Sequence, residues 1–135
     1  MYALNHDRRT DTRPLLLLVE SDLTFRYHLL KTLRAGNFRI AIARTVSEAL
    51  EMLDDLVFIG AHVDALLVGY RLKDGFSGPL VQALHRQFPS APVAVLVDDN
   101  LAGRISVRSR GISIIPKQQP IRRLQPWLQA LKAST

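Results

Sequence analysis

The residues best placed to do chemistry follow directly on short apolar runs. Glu20 and Ser21 follow the run that begins at Leu15, and Gly69 and Tyr70 follow Ala65–Val68. Val97 and Asp98 close the run from Val93, and Pro116 and Lys117 follow Ile112–Ile115. Carboxylates, hydroxyls and a lysine converging in one crevice could hold a divalent cation or a phosphoryl oxygen. Other chemistries lack their residues. The chain has no Cys, which excludes a disulfide framework and a thiolate metal site. His6, His28, His62 and His85 are mutually remote and show no metal-ligand spacing, so each is expected to be a surface or packing residue. Neither G-x-x-x-x-G-K-[ST] nor G-x-G-x-x-G occurs, and Ser21, Ser77 and Ser113 have no local nucleophile signature.

The elements that must position these residues alternate between two periods. Residues 1–14 are polar and aperiodic, closed by Pro14, and are expected to form a loose leader to a domain spanning 15–132. Leu15–Val19 is almost wholly apolar, as a strand buried on both faces should be, and is far too short to cross a bilayer. Phe25, Leu29, Leu30 and Leu33 recur at helical spacing, with Ser21 or Asp22 as N-cap and Gly36 as the stop. Phe38–Ala43 alternates like a strand, and Thr45-Val-Ser-Glu48 has the form of a capping box before Leu50 and Leu53. Ala65–Val68, Val93–Val97 and Ile112–Ile115 are three further strands. Gly69–Gly78 is expected to be a loop, and helices are expected over 80–88, 100–109 and 120–132. Ile121, Leu124, Leu128 and Leu131 share one stripe of the last helix, and Pro126 should kink it or mark its start. Five strands alternating with five helices imply an α/β fold, a (βα)5 doubly wound parallel sheet with its crevice at the carboxyl ends of the strands.

From Leu15 to Leu131 the chain resembles a response-regulator receiver domain of two-component signalling, similar to the chemotaxis regulators. The pieces that carry the likeness are LLLLVESDLTFRYHLLKTLRAG, ARTVSEAL, DALLVGYRLKDGFSG and IIPKQQP. The resemblance implies a flavodoxin-like strand order, 2-1-3-4-5. It also implies phosphoryl transfer from a histidine kinase to an aspartate, with Mg²⁺ held by acids after the first strand. Residue by residue, the implied machinery is thin. The acceptor aspartate aligns with Gly69, the acidic pair with Glu20 and Ser21, the hydroxyl residue with Val97, and the switch aromatic with Ile114. The lysine remains as Lys117, followed by Gln118 instead of Pro. The expectation is a degenerate pseudo-receiver with no catalytic residue, no metal and no cofactor, in which Glu20 and Lys117 pair directly. Asp98 or Asp99 could replace the acceptor, but one of them, or Asn100, is expected to cap the next helix. Asp74 is expected in a turn beside Gly75, and Asp64 at the far end of its strand.

The net charge of +6 is unevenly distributed. Residues 1–100 carry 11 basic and 12 acidic side chains, whereas 101–135 carry 7 basic and no acidic ones. One-sided fields of this kind favour an acidic partner. By the resemblance, this region forms the signalling face, with Arg104, Arg108, Arg110, Arg122, Arg123 and Trp127 as interaction candidates. The expected role is a phosphorylation-independent cytoplasmic module docking a protein: a histidine kinase, a regulator or a second copy. Nucleic-acid binding through the basic strip is the alternative, as is an active receiver with a relocated acceptor; a membrane partner is not expected.

Overall fold

The computed structural model describes residues 11–98, 111–118 and 120–133. In chain order its elements are β1 (Leu15–Val19), α1 (Leu23–Ala35), β2 (Arg39–Ala43), α2 (Val46–Phe58) and β3 (Ala65–Gly69). They continue with β4 (Arg71–Leu72), β5 (Gly75–Phe76), α3 (Gly78–Gln87), β6 (Val93–Val97), β7 (Ile112–Pro116) and α4 (Pro120–Ala133). Five of the strands form a parallel sheet in the order β2-β1-β3-β6-β7. Counted without the two short strands, this is the expected 2-1-3-4-5 order. The helix expected over 100–109 lies outside the described residues.

Burial explains the strand composition. Every residue of β1, β3 and β6 is buried, so these strands need apolar side chains on both faces. One face packs under α2 and α3 through Met52, Leu53, Leu56, Leu80 and Leu84. The other packs under α1 and α4 through Leu29, Leu33, Leu124, Leu128 and Leu131. Among the described residues, no helix is long and apolar enough to cross a membrane.

Local chemistry sets the helix ends. Asp22 accepts a hydrogen bond from Phe25 N–H at 2.9 Å and so caps α1. Thr45 caps α2 by accepting from Glu48 N–H. The reciprocal arm of the expected capping box is displaced by one residue, because the Glu48 carboxylate takes the Arg44 N–H and pairs with the Arg44 guanidinium. Asp74 sits in the turn expected of it and also accepts from Val46 and Ser47 N–H, two otherwise orphaned donors at the start of α2. These bonds favour the ionised carboxylate, the one from Ser47 most, and hold the Asp74 pKa below its usual range.

Four expectations need correction. The segment after β3 contains an antiparallel hairpin, β4–β5, in which Arg71 pairs with Phe76 and Gly75 takes a positive φ of 144°. Helix α4 begins at Pro120, so Pro126 lies at an exposed position inside it and does not mark its start. Ile121 is exposed, not part of the buried stripe. Residues 11–14 are also held in place: Arg39 donates to the Pro14 and Arg13 carbonyls, and Asp11 pairs with Arg13 and Arg39. The Arg13 guanidinium keeps the Asp11 pKa down at about 2.

Candidate functional site

Sheet register brings the strand ends together. Val19 lies opposite Val68, Gly69 opposite Leu96, and Val97 opposite Pro116. Main-chain bonds continue past the strands, from Glu20 N–H to the Ala43 carbonyl and from Lys117 N–H to the Val97 carbonyl. Glu20, Gly69, Val97 and Lys117 therefore surround one corner, as the sequence pattern anticipates.

Glu20 dominates that corner. It is 1% exposed, one of two buried polar or charged residues among those described. Oε2 accepts the Asp22 N–H at 2.9 Å, and the Glu20 carbonyl accepts from the Arg26 guanidinium at 2.8 Å. Lys117 Nζ stands 3.1 Å from Oε1, an ion pair of the kind expected from the sequence. The ammonium makes no aligned hydrogen bond to Oε1, which has no other donor among the described residues, so the attraction there is chiefly coulombic. Lys117 Nζ also lies 4.9 Å from the centre of the Phe25 ring, a cation–π contact that the sequence did not announce.

The remaining positions are occupied or apolar. A Cβ on Gly69 would stand 2.8 Å from Glu20 Oε1 and 3.3 Å from Leu72 Cδ2. The Glu20 carboxylate thus crowds the space in which a side chain at 69 would begin. Ser21 Oγ donates to the Arg44 carbonyl and accepts from Lys73 N–H, which ties the hairpin turn to the edge of the sheet. Val97 is buried, and Ile114 is half-buried against the α2/α3 side of the core. Asp98 is exposed, while Asp99 and Asn100 lie outside the described residues. Among the described residues, no group of three or more His, Asp or Glu side chains could hold a metal ion.

Of the expected interaction residues, Arg122 and Arg123 are exposed on α4, and Trp127 is half-buried against the α1/α4 core. Arg104, Arg108 and Arg110 lie outside the described residues. His85 is a packing residue, its Nε2 3.0 Å from the Ala91 carbonyl, and Asp64 accepts the Leu15 N–H at the amino end of the sheet.

No protein-family model matches the chain, and no curated protein matches it significantly. Solved structures do match. A response regulator receiver protein from Sinorhizobium medicae superposes with a TM-score of 0.73 at 17% identity, over 89% of this chain and 94% of that one. The signal receiver domain of an HD domain-containing protein from Pseudomonas fluorescens gives 0.71 at 22% identity, over 90% and 88%. The receiver domain of a sensor histidine kinase from Pseudomonas aeruginosa, with magnesium coordinated in its active-site cleft, gives 0.70 at 17% identity, over 89% and 98%. The chain has the receiver fold.

Proposed function

We propose that this receiver-fold chain is a regulatory module of two-component signalling that does not take a phosphoryl group and acts by binding another protein. The observation that carries the reading is the corner itself. Gly69 offers no nucleophile, and the Glu20 carboxylate, already paired with Lys117, crowds the space where one would stand. Phosphoryl transfer to a carboxylate needs that nucleophile and a cation to neutralise the developing charge.

The donors also fail to fit Mg²⁺, which takes near-octahedral oxygen ligands at about 2.1 Å. Among the described residues, Glu20 is the one buried carboxylate in the corner, bonded to Asp22 N–H and paired with Lys117. Ser21 Oγ already donates to one main-chain group and accepts from another, and Asp22 is engaged as the cap of α1. The protein-binding half of the reading rests on exposed Arg122 and Arg123 in a C-terminal quarter without acids.

Incubation with isotope-labelled acetyl phosphate, alongside a Mg²⁺ titration by calorimetry, tests the first half. No acid-labile label and no Mg²⁺ affinity tighter than about 1 mM are expected. Stoichiometric label, or tighter Mg²⁺ binding, refutes it. Recovery of a cellular partner by the wild type but not by Arg122→Glu/Arg123→Glu supports the second half. Salt-sensitive DNA binding lost in the same variant favours the nucleic-acid alternative.

A further inference from the structure

Helices α1 and α2 carry opposite and complementary exposed stripes. Helix α1 has no acidic residue and α2 no basic one. On α1, Tyr27, Lys31 and Arg34 are exposed at spacings of four and three residues, preceded one turn earlier by Leu23, which is 70% exposed. On α2, Glu51, Asp54 and Phe58 are exposed at spacings of three and four, and Phe58 is 90% exposed. Residues three and four apart share a helix face, so each set forms one stripe about 10 Å long.

Laid antiparallel, the two stripes match position by position. Tyr27 meets Phe58, Lys31 meets Asp54, and Arg34 meets Glu51. A parallel arrangement would set Phe58 against Arg34 and Tyr27 against Glu51. Within one molecule the helices lie on opposite faces of the sheet, so this match is not made internally.

We infer that the chain associates with a second copy of itself, head to tail, with α1 of one molecule antiparallel on α2 of the next. The contact joins two different surfaces, so pairing leaves one stripe open at each end and assembly continues with concentration. A nucleic acid would answer the basic stripe alone. It gives no role to the acidic stripe, which would repel it, or to Phe58 beside those acids. Some internal competition exists, because Glu51 borders a groove of about 430 Å³ that is also lined by Arg26 and Arg44. Asp54 and Phe58 do not line that groove. The inference does not depend on the state of the Glu20 corner.

Sedimentation velocity on the whole chain tests it, over a concentration series at about 20 mM and about 500 mM salt, where charge screening differs strongly. Wild type should associate at low salt, with an apparent Kd weakened at least about tenfold at high salt. Lys31→Glu/Arg34→Glu and Glu51→Lys/Asp54→Lys should each sediment as monomers, with thermal midpoints showing that both fold. Their equimolar mixture should associate again, because each reversal complements the other. A wild type that stays monomeric, or a mixture that fails to associate, overturns the inference. DNA binding abolished by the α1 variant, in a chain that does not self-associate, overturns it in favour of a polyanion surface.

Discussion

In the proposed reading, an aspartate placed at position 69 should damage the protein instead of activating it. A Cβ there starts 2.8 Å from Glu20 Oε1, well inside ordinary contact. Glu20 can retreat only by loosening its bond to Asp22 N–H and its pairing with Lys117. Gly69→Ala isolates this crowding; because the atom it meets is the far end of the Glu20 side chain, the cost should stay at about 1 kcal/mol, the low end for an overfilled core. Gly69→Asp adds a second carboxylate beside Glu20, which is already paired with Lys117. The extra charge penalty has a ceiling, because the new side chain can take up a proton. Holding an Asp neutral at pH 7 against an ordinary pKa near 3.9 costs about 4 kcal/mol, and the penalty cannot exceed that.

Urea unfolding at pH 7 should therefore rank wild type above Gly69→Ala and place Gly69→Asp lowest, with Gly69→Asn between as the uncharged isostere. The folded-state pKa of the new Asp is raised. Its charge penalty is then full above that raised value and fades as pH falls from it to the unfolded one, so Asp and Asn variants should converge at about pH 4. Adding Glu20→Ala should relieve both crowding and repulsion, giving a favourable coupling of about 1–3 kcal/mol in the double-mutant cycle. Equal stability of Gly69→Asp and Gly69→Ala at pH 7, or a coupling near zero, would refute the claim that Glu20 has taken over the acceptor's corner.

Two further outcomes follow from the same contacts. Lys117→Met should cost about 2–4 kcal/mol, because it leaves Glu20 at 1% exposure either unpaired or forced to take up a proton; Glu20→Gln should cost less, because the Lys117 side chain is 27% exposed and can reach water. Chemical unfolding of both single variants and the double variant checks this order, and the double should be more stable than Lys117→Met. Asp74→Ala should speed amide exchange at Val46 and Ser47, measured by NMR. In the wild type that protection should be complete above the ordinary Asp pKa near 3.9 and be lost as pH falls through the depressed folded value.

How much of this was legible depended on how local each cause is. The strands show in the sequence because Leu15–Val19 and Val93–Val97 are buried on both faces and tolerate little but aliphatic side chains. Asp22 and Thr45 show because a cap bonds a donor three residues away. The pairing of Glu20 with Lys117 could be expected only by placing both at strand ends through the family likeness, since 97 residues separate them. The hairpin β4–β5 is too short to show a period, and its pairing rests on one Gly with positive φ. Nothing near Asp74 announces that it caps a helix beginning 28 residues earlier. Phe25 looks like an ordinary apolar residue of an amphipathic helix until Lys117 is found over its ring.

A switch requires a ligand that binds one of two conformations better, by an amount comparable to the gap between them. In the proposed reading the counter-ion for Lys117 is built into the chain as Glu20, so no arriving phosphoryl group can provide that difference. Glu20 meanwhile organises the start of α1 from three directions: Oε2 holds Asp22 N–H, its carbonyl holds Arg26, and its partner Lys117 rests on Phe25. In that reading, the residue that displaces the phosphate chemistry also helps fix the helix whose exposed stripe matches α2. Fixing that helix in advance lowers the ordering cost of any contact it makes. Input to such a module would come through the concentration of what docks on it: the proposed protein partner at Arg122 and Arg123 of α4, and a second copy of the chain on α1.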